Sequence, residues 1–214
     1  MATSTFSATA PPTPEQLAEA AQLTVFDSKG AAVPLGTILS PGEKGGKSVV
    51  LFIRHFHQDY ISYLSSKLSP TTLEQHNVKL SVVGCGDWEL IGPYKELLGV
   101  PWEFYADPGK KSYEALGMTR RTLDMGKEAP EYMKKGVLGN IFGSILGAFK
   151  MGGIGRRNAG DIKQLGGEFV FGPNNTVLYA HRMENTRGHA PLAELFSAID
   201  LPYDASTTGG AGAA

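Results

Sequence analysis

From Val49 to Ile53 the chain is apolar at five consecutive positions, with no polar residue in alternation. A strand that buries one face alternates between apolar and polar residues. A strand that buries both does not, and two-sided burial belongs to the interior of a parallel sheet covered by helices. The run passes at once into a polar cluster, Arg54, His55, His57, Gln58 and Asp59, and then into Tyr60, Ile61, Tyr63, Leu64 and Leu68 at helical spacing. Strand, polar turn, helix is the arrangement in which open α/β sheets place their chemistry, outside the carboxyl ends of the strands.

The same grammar recurs along the chain. Thr13-Pro14-Glu15-Gln16 combines an N-cap threonine, a proline at the first helical position and an acid in the first turn, so a helix starts there and stops before Leu23. Leu23 to Phe26 is expected as a short strand, with Ala31 to Leu39 as its continuation after the Asp27–Gly30 turn. The helix after the polar turn is expected to run from Gln58 to His76, and Val78 to Val83 to form a second buried strand ending in Gly84-Cys85-Gly86-Asp87. A helix over Trp88 to Leu98 closes at Gly99; a short strand (Trp102 to Tyr105) and a short helix (Lys111 to Leu116) follow. Glu168 to Phe171 and Val177 to Ala180 read as a hairpin about Gly172-Pro173-Asn174-Asn175, with a closing helix over Pro191 to Ile199. Strands alternating with helices imply βαβ units with right-handed crossovers. The expected fold is α/β and thioredoxin-like, a central mixed sheet flanked by helices.

Composition removes several classes of function. A formal net charge of −1 offers no field for nucleic acid or anionic lipid. The single cysteine excludes an internal disulfide and a two-cysteine redox cycle within one chain. No phosphate loop, dinucleotide fingerprint, Ser-His-Asp signature or zinc spacing is present, so no cofactor or metal is expected. Residues 1–13 lack the charged start and apolar core of a signal peptide and read as a disordered leader; residues 204–214 read as a disordered tail. The domain is then 14–203, and the cytoplasm is the default location. Within it, 119–160 is an insertion whose apolar run, Val137 to Phe149, carries glycines at 139, 143 and 147. At about thirteen residues it falls well short of the roughly 20 that a bilayer needs. It reads as a Gly-rich helix packed on the domain, with a membrane-surface or dimer contact as the alternative.

At this point the chain resembles a known family, the peroxiredoxin-like AhpC/TSA antioxidant proteins of the thioredoxin superfamily. The resemblance rests on VVLFIRHF from Val49, VVGCGD from Val82, YADPGKKSYEALGM from Tyr105, GGEFVF from Gly166 and HRMENTRGHA from His181. It implies a thiol-dependent reduction of hydroperoxides or endoperoxides, with thioredoxin as electron donor. It also implies a C-x-x-C pair after the Arg-His-Phe of the central strand. Here Arg54-His55-Phe56-His57 runs directly into Gln58-Asp59-Tyr60, as though four residues had been cut out between His57 and Gln58. An in-frame gap of that size is also what a misplaced splice boundary would leave. Where peroxiredoxins carry an arginine before the hairpin strand, Leu165-Gly166-Gly167 stands.

Sulfur is therefore absent from the turn where exposed helix amides would acidify it. Neither His57 nor Asp59 can attack an O–O bond and carry a sulfenic intermediate. Cys85, at the end of the neighbouring strand, is the one candidate nucleophile; the catalytic candidates are Cys85 with His55 and His57 to hold its thiolate. The competing reading is a small buried apolar residue, a common fate of free cysteine. Arg54, Asp59 and Arg182 are candidates for substrate binding, and a structural role for Arg182 around the hairpin competes with that. His55 and His57 lack a third ligand for a metal. Two classes of function follow: an impaired peroxide oxidoreductase, or a catalytically silent or repurposed module. The second would bind a small molecule or protein partner, or run non-redox chemistry on the Arg54-His55-His57-Asp59 turn.

Overall fold

A computed structural model of the chain describes residues 6–42, 45–54, 59–128, 130, 132 and 160–205. Seven strands form one mixed sheet: β1 (Thr24–Phe26), β2 (Ala32–Pro34), β3 (Lys47–Ile53), β4 (Val78–Gly84), β5 (Glu103–Ala106), β6 (Gly167–Phe171) and β7 (Val177–Arg182). They lie in the order β2-β1-β5-β4-β3-β6-β7. β3 pairs parallel with β4, and β4 with β5; β6 runs antiparallel between β3 and β7. The apolar run of the central strand is explained by this placement. Every residue from Ser48 to Ile53 is buried, because β3 has neighbours on both edges and helices on both faces.

Two cores result. On one face Val49, Leu51 and Ile53 pack with α3 (Asp59–Ser65), α5 (Ile91–Leu98) and α7 (Leu192–Ala198) through Ile61, Leu64, Ile91, Tyr94, Leu195 and Phe196. On the other, Val50 and Phe52 pack with α1 (Pro14–Gln22), α2 (Leu35–Leu39) and α6 (Lys111–Ala115). Phe52 meets Tyr113 and Phe169 edge-on at 5.2 and 5.8 Å, the geometry that aromatic quadrupoles favour.

Three expectations require correction. The helix expected over Gln58 to His76 is two helices: α3 ends at Ser65 and α4 spans Pro70–Gln75. Proline lacks an N–H and clashes with the carbonyl four residues back, so Pro70 starts a helix and cannot continue one. Ser69 caps the restart, its Oγ accepting from the Thr72 N–H at 3.1 Å. The strand expected over Ala31 to Leu39 stops at Pro34 and gives way to α2. Leu35, Ile38 and Leu39 are all buried there, and their i, i+3, i+4 spacing serves a helix that covers one face. The third concerns residues 6–13, read as part of a disordered leader. They lie against the end of β7, where the Arg182 N–H donates to the Ala8 carbonyl at 2.7 Å. The apolar run Val137 to Phe149, with the whole of the 133–159 stretch around it, and the tail from residue 206 lie outside the described residues.

The hairpin forms as expected. Asn174 and Asn175 both take φ of 57°, a conformation asparagine tolerates better than most residues, and the Gly172 N–H closes the turn on the Thr176 carbonyl at 2.8 Å.

Candidate functional site

Parallel pairing sets Ile53 of β3 level with Gly84 of β4, so Arg54 and Cys85 leave the sheet side by side. Tyr113 ties the two strand ends together: its hydroxyl lies 2.6 Å from the Ile53 carbonyl oxygen and 2.9 Å from that of Val83. Cys85 is 2% exposed and packs in the core shared by Phe52, Val83 and Tyr113. Tyr60, Ile61 and Leu64 of α3 belong to the core on the other face.

The thiol is spent on the backbone. Sγ–H donates to the Arg54 carbonyl, and the Asp161 carbonyl lies 3.8 Å away. A Cβ added to Gly160 (φ +95°) would sit 2.9 Å from Cys85 Sγ and 2.8 Å from its carbonyl oxygen. The chain thus closes over the thiol at a point where only glycine fits. Asp161, next along, is pinned by Lys110 Nζ at 3.3 Å and by Arg121. Burial pushes the Cys85 thiol up from 9.0 to about 11, outweighing the hydrogen bond from the chain at Asp161 and the positive charge of Lys110. A reactive thiolate has the opposite environment, exposed and electropositive.

Of the other candidates, the structure describes the side chains of Arg54 and Arg182. Arg54 is half-buried and donates through Nη1 to the Thr186 carbonyl at 3.2 Å; burial lowers its pKa from the ordinary value. His55, His57 and the side chain of Asp59 lie outside the described residues. Arg182 lies across from Gly167 on β7, its guanidinium 5.4 Å from the Phe169 ring, on the sheet face that α3 does not cover. It holds three carbonyl oxygens: Leu116 at 2.6 Å from Nε, and Ser7 at 3.1 Å and Ala10 at 2.7 Å from Nη1.

A second polar cluster escaped the reading of the sequence. Glu168 and His189 are both buried, with His189 Nδ1 2.5 Å from Glu168 Oε1, and the Ala190 N–H donates to Glu168 Oε2 at 3.1 Å. The His189 ring stacks on Tyr60 at 4.3 Å with 6° between planes, and Tyr132 meets both rings edge-on. The Tyr60 hydroxyl donates to the Ala190 carbonyl at 3.1 Å. The cluster clamps the loop before α7 onto β6 and the first turn of α3. Its signal was available: a carboxylate inside an otherwise apolar strand, Gly-Glu-Phe-Val-Phe, needs a buried partner. Among the described residues no three His, Cys, Asp or Glu side chains are grouped to hold a metal ion, and no helix is long and apolar enough to cross a membrane.

Comparison with known proteins agrees with this architecture. Peroxiredoxin Q of Xanthomonas campestris superimposes with a TM-score of 0.53 at 11% identity over 86% of this chain and 90% of that one. Peroxidoxin BcpB of Mycobacterium tuberculosis does so at 0.51 and 11%, over 92% and 94%. At such identities these two carry the fold alone. The relatives in sequence say more. Peroxiredoxin-like 2C of Homo sapiens is 29% identical over 190 residues, 87% of this chain and 81% of that protein. Its counterpart in Takifugu rubripes is 30% identical over 175 residues, 78% and 74%. The family described as AhpC/TSA antioxidant enzyme matches residues 64–185, more than half of the chain. With a peroxiredoxin-like sheet, that family match and relatives spanning most of both lengths, the chain belongs to the AhpC/TSA antioxidant enzyme family.

Proposed function

We propose that this chain is a member of the family that keeps the scaffold and has lost its peroxide chemistry, serving as a binding module for a small molecule or partner. One observation carries the reading. The single thiol, Cys85, is buried, donates to the Arg54 carbonyl and is pushed up to about 11. Attack on an O–O bond requires a thiolate that the peroxide can reach. Cys85 offers neither property, and the turn between β3 and α3 contains no sulfur at all.

The test is peroxide consumption with thioredoxin or dithiothreitol as reductant. Wild type and Cys85→Ser are expected to run equally, at background. A wild-type rate well above background that Cys85→Ser abolishes would restore the thiol enzyme, with thioredoxin as its electron donor. A second variant tests the scaffold: inserting Cys-x-x-Cys between His57 and Gln58 is expected to create cysteine-dependent turnover.

A further inference from the structure

Arg182 is 4% exposed, yet among the described residues no carboxylate forms an ion pair with its guanidinium. Its hydrogen bonds all end on backbone carbonyls, and they come from Nε and Nη1; Nη2 makes none. Burying a cation without a counter-charge costs several kcal/mol after relaxation, and three carbonyl dipoles return only part of that. Burial depresses the Arg182 pKa, with no neighbouring charge opposing it. The left-handed Gly117 (φ +79°) lets α6's exit approach: a Cβ there would sit 3.0 Å from Nε and 3.6 Å from Nη2.

Arg182 lines a cavity of about 180 Å³ between residues 6–16 and the exit of α6. Phe6, Ala10 and Pro11 supply apolar wall; Gln16 and Arg182 supply polar lining. Gln16 spends its Oε1 on the capping box with Thr13, which leaves its amide Nε2 as a donor. Both Thr13 and Gln16 belong to the start of α1, whose N-terminus carries the positive end of the helix dipole. Donors from Arg182 and Gln16 therefore share the cavity with an apolar wall.

We propose that this cavity is a binding site for a small monocarboxylate, its carboxylate held on Arg182 Nη2 and Gln16 Nε2 and its apolar end against Phe6 and Pro11. A planar guanidinium edge matches the two oxygens of a carboxylate. The volume sets the size: ligand pockets for drug-sized molecules run to roughly 300–1,000 Å³, whereas an apolar cavity of about 150 Å³ holds benzene. Glu114, exposed on the rim, repels a second negative charge and selects the monoanion. The site lies on the opposite sheet face from α3 and does not depend on the fate of the thiol.

The experiment is calorimetric titration of the full chain with sodium benzoate at constant ionic strength, beside benzylamine and phthalate. Saturable benzoate binding is expected, with none for benzylamine and weaker binding for phthalate. Arg182→Gln removes the anchor and Ala10→Leu fills the cavity while keeping the carbonyl that Arg182 holds; each is expected to weaken benzoate about tenfold or more. Should Arg182→Gln fail to fold by circular dichroism, Ala10→Leu carries the comparison. Absence of saturable benzoate binding up to about 10 mM, or equal binding by wild type and Ala10→Leu, overturns the site and leaves Arg182 as the anchor of residues 7–10 only.

Discussion

At pH 7 a thiol raised to about 11 is ionised in roughly one molecule in ten thousand. The same displacement has a thermodynamic consequence. The unfolded thiol ionises near its ordinary 9.0 and the folded one near 11, so between those values the unfolded state binds fewer protons. Cys85 therefore contributes its stability in full below pH 9 and loses it as pH rises towards 11, by about 2–3 kcal/mol. Urea titrations of wild type and Cys85→Ala across pH 8–11 are expected to show the difference between them shrinking by that amount; a constant difference would mean an exposed thiol. Glu168 and His189 raise the stakes at residue scale. Removing His189 leaves Glu168 buried with the Ala190 N–H as its remaining partner, so His189→Ala is expected to cost about 3–5 kcal/mol by denaturant unfolding. A loss below about 1 kcal/mol, the worth of a surface ion pair, would show that the pair is not buried. None of this pairing could be read from spacing, since Glu168 and His189 stand 21 residues apart and meet only because the chain turns back over β6.

Elements divide into those set by local chemistry and those that needed the whole fold. The break between α3 and α4 was written in Ser69-Pro70, a local signal that the apolar periodicity from Tyr60 to Leu68 overrode in the sequence reading. Ser69→Ala removes the one side-chain cap of α4 and is expected to cost about 1 kcal/mol, read as a shift in urea midpoint at constant slope. The α2 helix was likewise legible at Leu35, Ile38 and Leu39, once Pro34 is taken as the end of β2. Strands β3, β4, β6 and β7 were found within two residues of their observed bounds, because the buried strands β3, β4 and β6 must be apolar and the Gly172–Asn175 turn ties β7 to β6. Tyr113 gives an element-level test of what locks β3 to β4. Tyr113→Phe leaves the Ile53 and Val83 carbonyls short of a donor and is expected to cost about 1–3 kcal/mol, measured by equilibrium unfolding.

Across the whole molecule, residues 6–13 act as a strap. They meet β7 through the Arg182 N–H and its guanidinium, and Phe6 lies under Arg120 at 4.2 Å. Deleting residues 1–10 strips Arg182 of two of its three carbonyl partners, so a loss of about 1–3 kcal/mol is expected; an unchanged thermal midpoint would show that the strap contributes nothing. Composition alone suggested disorder for this segment, since its only large apolar side chain is Phe6. By itself the sequence determined the layered α/β architecture, the family and the missing sulfur at the central turn. Those follow from the order of apolar runs, and each run reports its own burial. The tertiary structure alone decided that Cys85 is sealed and raised, that Glu168 and His189 pair, and that Arg182 looks into a cavity away from α3. Such facts depend on which sheet face a residue meets and what closes over it, and contacts between distant segments leave no local pattern in the chain.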